Sequence, residues 1–68
     1  MQGTCIWFSN SKGYGFVQDK ATGNEYFCHF SAIQGTGYKS LKQDAKVLFE
    51  IEKGPKGRPQ ASKVQVVD

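Results

Sequence analysis

The fold is decided by two aromatic stretches, KGYGFV at residues 12–17 and YFCHF at residues 26–30. Side chains alternate across a β-strand, so Tyr14 and Phe16 share one face of the first stretch. By the same rule Phe27 and His29 share one face of the second. The polar residues between the stretches include TGN at residues 22–24, which favours a hairpin turn. The two stretches are therefore predicted to pair as a hairpin with one aromatic surface.

Three further stretches complete an all-β pattern. Residues 4–8 and 46–52 are rich in β-branched and aromatic side chains, and residues 61–67 form a last short strand. Ser31 is the expected cap of one helical turn at residues 31–33. Residues 34–44 are predicted to form a long loop, and residues 54–59 carry the glycines and prolines of a turn. Five short strands without a long helix predict a small five-stranded antiparallel OB-fold barrel, with an SH3-like barrel as the alternative.

The predicted hairpin carries more aromatic side chains than a small core can hold. The chain has nine Phe, Trp and Tyr residues, and exposed aromatic patches usually serve binding. Trp7 on the first strand can join the four side chains of the hairpin. Such a platform stacks nucleic-acid bases at about 1–3 kcal/mol each, and Lys12 and Lys39 at its rim would meet phosphates. Gly13 and Gly15 are expected to keep the surface low for approaching bases. The expected core comprises Cys5, Val17, Tyr26, Cys28, Val47, Phe49 and Ile51.

Length, charge and residue spacing argue against other functions. A chain of 68 residues has little room for a two-lobed active-site cleft, and no apolar run approaches the roughly 18 residues of a membrane span. Its formal net charge of +3 is weak support for nucleic acid by itself. Cys28 and His29 point to opposite strand faces, so they cannot form a nucleophile–base pair. With Cys5 they are also too few and badly spaced for zinc. We expect no catalytic residue, metal, cofactor, membrane or small-molecule substrate.

The same residues resemble a known family, the bacterial cold-shock proteins. Residues 12–17 are similar to the first ribonucleoprotein motif of that family, and residues 26–30 are similar to the second. Residues 31–33, 37–41 and 57–61 complete the pattern with matching order and spacing. The resemblance implies that residues 1–68 form a single cold-shock-like OB domain. It also implies a cytoplasmic protein that binds single-stranded RNA and DNA and takes part in the stress response.

The resemblance further assigns site residues by matching position. The family's stacking residues fall on Trp7, Phe8, Tyr14, Phe16, Phe27, His29, Phe30 and Tyr38. Its phosphate-facing lysine falls on Lys12. Near this patch Lys39, Lys56 and Arg58 supply positive charge, which favours nucleic acid over a proline-rich peptide as the partner.

Three features of the sequence depart from the family pattern or from strict strand alternation. Ile6 stands where the family usually has a lysine, which removes a phosphate contact and leaves an apolar residue exposed. Tyr26 replaces a small aliphatic core residue, so its hydroxyl needs a partner or an exit to water. Cys5 and Trp7 have the same strand parity, yet the family places the first in the core and the second on the surface. A β-bulge between them is therefore predicted, with both thiols buried and reduced.

The leading hypothesis from the sequence is a nucleic-acid-binding module. It would act as an RNA chaperone that melts or prevents RNA secondary structure by holding unpaired strands, with regulation of transcription or translation as a further role. The alternative is a small SH3-like protein-interaction module that uses the same aromatic patch. A monomer is expected, and a dimer is the alternative.

Overall fold

Five β-strands form a closed barrel in the computed structural model, which describes residues 1–34 and 41–67. The strands are β1 (Gln2–Ser9), β2 (Tyr14–Asp19), β3 (Glu25–His29), β4 (Lys46–Lys53) and β5 (Pro59–Val66). Their order around the barrel is β1-β2-β3-β5-β4, and β4 pairs back onto β1. The predicted five-stranded, all-β OB barrel is confirmed. Most of the predicted loop at residues 34–44 lies outside the described residues.

One seam of the barrel is parallel. The strands alternate in direction along the chain, and a closed ring with an odd number of alternating strands must bring two parallel strands together. Here those strands are β3 and β5, which meet at the pair Phe27 and Gln60. The other seams in the described part of the chain are antiparallel. The parallel seam is short, and it lies beside the aromatic hairpin.

The β2–β3 hairpin is closed by the turn that the sequence predicts. Gly23 adopts a φ of 80°, and its amide donates to the Asp19 carbonyl at 2.8 Å. The buried Asp19 carboxylate accepts from the Ala21 amide at 2.9 Å and from the Thr22 hydroxyl at 3.1 Å. These bonds satisfy a carboxylate that would otherwise be costly to bury. The turn therefore fixes the register in which β2 and β3 pair.

A β-bulge interrupts β1, as predicted. Cys5 pairs with Val17 and Trp7 pairs with Phe16, so two steps along β1 match one step along β2. Ile6 is the extra residue, and it is half-buried rather than exposed. Because a bulge shifts strand parity by one, Cys5 enters the core while Trp7 faces outward.

A second bulge lies in β5, and the sequence did not predict it. Leu48 pairs with Gln65 and Glu50 pairs with Ser62, so β5 carries one residue more than β4 between these pairs. Lys63 takes up the irregularity with a φ of 49°. This shift places Ala61 and Val64, three residues apart, in the same core.

The core confirms most of the predicted inward-facing residues. The buried cluster comprises Cys5, Val17, Cys28, Ile33, Leu41, Val47, Phe49, Ala61 and Val64. Both cysteines are free and buried. Tyr26 is only half-buried, with its ring centroid 6.0 Å from that of Phe49, so it packs on the edge of the core.

The prediction that Ile51 belongs to the core is wrong. Ile51 keeps the parity of Phe49 and lies opposite the buried Ala61, yet its side chain is 37% exposed. The last four residues of β4, from Glu50 to Lys53, are all exposed, so the core does not cover this end of the strand. The alternation of side chains along a strand predicts on which face a residue lies. Whether that face is buried depends on where the core ends.

A single turn of 3-10 helix, Phe30–Ala32, follows β3. Its cap is His29 and not Ser31, which corrects the expectation from the sequence. The His29 Nδ1 atom accepts a hydrogen bond from the Ser31 amide at 3.3 Å and lies 2.8 Å from the Ser31 hydroxyl. An imidazole nitrogen thus accepts the hydrogen bond that a Ser, Thr, Asp or Asn oxygen commonly accepts at a helix start.

Candidate nucleic-acid interface

Six side chains form one connected aromatic patch on the outside of the barrel. Its members are Trp7, Tyr14, Phe16, Phe27, His29 and Phe30. Ring centroids of neighbouring members lie 4.5–6.4 Å apart along the patch. These spacings are those of interacting aromatic pairs, so each ring holds its neighbours in place.

Strand register puts these rings side by side. Trp7 lies opposite Phe16, and Phe16 lies opposite Phe27, which makes one row across β1, β2 and β3. Tyr14 lies opposite His29 in a second row. Residues that face each other across a sheet share one face. The predicted grouping of Trp7 with the four hairpin side chains is confirmed as geometry.

The patch is open to solvent. Trp7 is 43% exposed, Phe16 37% and Phe30 44%, while Tyr14, Phe27 and His29 are half-buried. Rings in this state leave apolar faces in water, which disfavours the free protein. A flat partner that covers the rings would remove that cost.

Phe30 is held at the end of the patch by the β1–β2 turn. Its amide donates to the Gly13 carbonyl at 2.8 Å. Gly13 has a φ of 78°, and a side chain there would meet the Phe30 ring at 3.0 Å. The ring of Phe30 also lies 4.5 Å from His29. Gly13 is therefore needed both for its backbone conformation and for the place of Phe30.

Gly15 has a different role from the one predicted. It is buried and lies on the face opposite Tyr14 and Phe16. A Cβ at this position would lie 2.6 Å from the Phe8 Cα atom. Gly15 thus allows β1 and β2 to approach closely and does not shape the outer surface.

Four predicted site residues are not members of the aromatic patch. Phe8 is half-buried and packs against the core, on the side of Gly15. Lys12 is exposed in the β1–β2 turn. Lys56 and Arg58 are exposed in the loop between β4 and β5, which is closed by a 2.7 Å bond from the Gly54 amide to the Arg58 carbonyl. Tyr38 and Lys39 lie outside the described residues.

Two polar residues that the sequence analysis did not single out extend the first row. Gln60 lies opposite Phe27 across the parallel seam, and Glu52 lies opposite Gln60. The row therefore continues from aromatic to polar around the barrel. Recognising this from sequence would have required the β3–β5 register, which no local pattern encodes.

The thiols of Cys5 and Cys28 are expected to be unreactive. Burial raises the pKa of Cys28 to about 11 and also raises the pKa of Cys5. A thiol with a raised pKa is a poor nucleophile at neutral pH.

Within residues 1–34 and 41–67, no three His, Cys, Asp or Glu side chains are grouped as metal ligands would be. Over the same ranges, no helix is long and apolar enough to cross a membrane.

Known proteins resemble this chain over nearly its whole length. The family model described as the 'Cold-shock' DNA-binding domain matches residues 1–67. The chain is 51% identical over 65 residues to the major cold shock protein CspA of Pseudomonas aeruginosa, covering 96% of this chain and 91% of the relative. It is 48% identical to the cold shock-like protein CspA of Bordetella pertussis, covering 96% of each. It is also 48% identical to the cold shock protein CspC of Bacillus subtilis, covering 94% of each.

Proposed function

This chain belongs to the cold-shock domain family and is a nucleic-acid-binding protein, not an enzyme, and from that premise we propose that its aromatic patch binds single-stranded RNA and DNA. The observation that carries the proposal is the row from Trp7 to Phe16 to Phe27, in which outward-facing rings are held in register by three strands. The core lies on the other face of the sheet and contains none of these three rings, so the row is not needed to form it.

Stacking explains why single strands would be chosen over duplexes. A base in a duplex is already covered on both faces by its neighbours, whereas an unpaired base can place one face on a protein ring. Every base has such a face, so stacking is tolerant of sequence and is worth about 1–3 kcal/mol per base. The row of the patch would accept consecutive bases along one strand.

In this proposal the positively charged side chains contact the phosphates of the bound strand. Lys12 is exposed in the turn that leads into Tyr14, and Arg58 directly precedes β5, whose Gln60 lies opposite Phe27. Cations on these two sides would meet phosphates that run past the rings. Tyr38 and Lys39 are proposed to add one ring and one charge, as the family resemblance implies.

Binding of this kind would make the protein an RNA chaperone. A protein that binds unpaired RNA and not paired RNA shifts the equilibrium toward the unpaired state by mass action. No energy source or cofactor is required. We place this activity in the cytoplasm, with residues 1–68 acting as one monomeric domain, and with effects on transcription or translation following from which strands are melted.

Titration of Trp7 fluorescence tests the proposal, because this ring lies within the patch and is the protein's only tryptophan. A hexapyrimidine single strand is added in one series and the corresponding base-paired duplex in another. We expect saturable quenching with the single strand and much weaker binding of the duplex. Equal affinity for the two, or no binding of the single strand, would contradict the proposal.

A separate assay tests the proposed RNA chaperone activity. An RNA hairpin labelled with a fluorophore and a quencher at its ends is mixed with the protein without any nucleotide cofactor. We expect a hairpin of low stability to open as the protein concentration c rises well above the dissociation constant Kd for the single strand, because the unpaired state gains RT ln(1 + c/Kd). If the hairpin stays closed at saturating protein, the result contradicts the proposed chaperone activity but does not contradict single-strand binding.

A further inference from the structure

The row of the aromatic patch does not stop at its last ring. Phe27 lies opposite Gln60 on β5, and Gln60 lies opposite Glu52 on β4. Neighbouring strands are about 4.8 Å apart, so Glu52 is two strand spacings beyond Phe27. A nucleotide next to one stacked on Phe27 comes within reach of both polar side chains.

A cavity lies at this end of the row. It has a volume of about 240 Å³, and its lining includes His29 of the patch together with Glu52, Gln60, Gln34, Ser62 and Lys63. Pockets for drug-sized ligands span roughly 300–1,000 Å³, so this one suits a single ring system. Its lining is polar, in contrast with the patch beside it. A base that enters would meet hydrogen-bonding groups at its edge.

Glu52 is the carboxylate that lines this cavity, and among the described residues its side chain forms no ion pair. Its side chain is exposed. The ion pair of this region joins Lys63 to the neighbouring Glu50, with 3.9 Å between Nζ and Oε2. The Ser62 hydroxyl already donates to the Glu50 carbonyl at 3.3 Å. The Gln34 side-chain oxygen accepts a hydrogen bond from the Gln65 amide at 2.9 Å.

The chemistry of a carboxylate selects among the bases. An ionised carboxylate only accepts hydrogen bonds, and it repels phosphates and carbonyl oxygens. Guanine alone presents two N–H groups side by side, at N1 and N2, which match the two carboxylate oxygens. Adenine and cytosine present one amino group next to an acceptor, and uracil places its N–H between two carbonyls.

We propose that Glu52 reads the Watson–Crick edge of one guanine in the bound strand, so that the protein prefers guanine at the position after the base on Phe27. Gln60 lies between Phe27 and Glu52, and its amide can donate to the guanine O6 atom. This inference rests on the proposed function, since it needs a single strand stacked on the patch. It adds a base-specific step to a surface that is otherwise tolerant of sequence.

Substituted hexanucleotides test this inference. Hexauridine is compared with variants in which one uridine at a time is replaced by guanosine, inosine or adenosine, and Trp7 fluorescence gives the dissociation constants. Inosine stacks like guanosine but lacks the N2 amino group. We expect one position at which guanosine binds at least about fivefold tighter than inosine, because a two-point contact at a base edge discriminates by that much or more.

Two matched variants separate recognition from charge. Glu52→Gln and Glu25→Gln each remove one negative charge from an exposed position, the first at the cavity and the second at the start of β3, outside its lining. We expect both to bind hexauridine alike, and only Glu52→Gln to abolish the preference for guanosine over inosine. Equal affinity for guanosine and inosine at every position, or a preference that survives in Glu52→Gln, would overturn the inference while single-strand binding stands. Absence of hexauridine binding by the unaltered protein would overturn the proposed function as well.

Discussion

Cys28 and His29 are neighbours in β3 with opposite surroundings. The Cys28 thiol is fully buried in the core, whereas the His29 ring lies on the patch. Burial raises the pKa of Cys28 from 9.0 to about 11, because the apolar core disfavours the thiolate. The same burial protects the thiol from reagents in the native protein.

Stability at alkaline pH should therefore depend on Cys28. The folded state keeps the thiol protonated, while the unfolded chain ionises it above about pH 9. The thiol's contribution is fully present below pH 9 and is lost as the pH rises through about 11. We expect the free energy of unfolding to fall in this window by up to about 1.4 kcal/mol per pH unit from this group. Urea unfolding at pH 8, 9, 10 and 11 measures it.

Cys28→Val provides the control for this prediction. Valine fills a similar volume without an ionisable group, so the variant should fold and lose less stability between pH 9 and 11 than the unaltered protein. All other ionisable groups are common to both proteins and cancel in the comparison. Identical pH dependence would show that Cys28 ionises equally well in the folded state.

The sequence predicted the positions of some individual side chains correctly and those of others incorrectly. Alternation sufficed to place Tyr14, Phe16, Phe27 and His29 on one face, because β2 and β3 pair without a bulge. The cap of the 3-10 turn was misassigned, because an N-terminal serine is the commoner choice and the orientation of the His29 ring depends on the fold. The half-buried place of Phe8 depends on the absence of a side chain at Gly15.

At the level of elements, the two bulges differ in how visible they are in the sequence. The β1 bulge was predictable because Cys5 and Trp7 share a strand parity, while the resemblance to the cold-shock proteins implies a core position for Cys5 and a surface position for Trp7. The β5 bulge was not, because Ala61 and Val64 are small and apolar and either could have lain at the edge of the core. Only pairing with β4 shows that both are buried.

The β5 bulge carries strain that a substitution should relieve. Lys63 has a φ of 49°, a region that costs most residues about 1–2 kcal/mol but that asparagine adopts more easily. We expect Lys63→Asn to raise the free energy of unfolding by up to about 1 kcal/mol. Its ion pair with Glu50 is exposed on both sides and is worth little. Urea unfolding measures the change.

Lys53→Asn is the matched control for Lys63→Asn. Lys53 ends β4 and is exposed, and it is not among the described residues with positive φ. The same substitution there should leave stability unchanged or lower it slightly, because asparagine has a low strand propensity. Equal effects at the two positions would contradict the assignment of strain to the bulge.

At the level of the whole molecule, aromatic stacking outweighs charge in the proposed binding. The formal net charge is only +3, and Ile6 occupies a position where the family usually has a lysine. Each neutralised phosphate on a single strand contributes about −0.7 to the slope of log affinity against log salt. We expect a slope on the order of −1 to −3, measured by Trp7 titrations at several salt concentrations. A much steeper slope would mean that charge dominates.

Restoring a lysine at position 6 should change this balance. The long side chain can keep its stem on the half-buried site and its ammonium in water. We expect Ile6→Lys to tighten binding and to make the slope more negative by about 0.7. Leu48→Lys adds the same charge on β4, which does not pair with β2 or β3, and should have less effect on both quantities. If neither affinity nor slope changes in Ile6→Lys, position 6 lies outside the bound strand.

Removal of single rings from the patch tests the central claim most directly. Phe16→Ala and Phe27→Ala are compared with Leu48→Ala, whose side chain is as exposed as Phe16, at 37%, but lies on another strand of the barrel. Thermal unfolding verifies that each variant is folded, and titration with one pyrimidine hexanucleotide gives its affinity. We predict that each phenylalanine variant loses about 1–3 kcal/mol of binding free energy, while Leu48→Ala binds like the unaltered protein. Undiminished affinity in both folded phenylalanine variants would contradict the account.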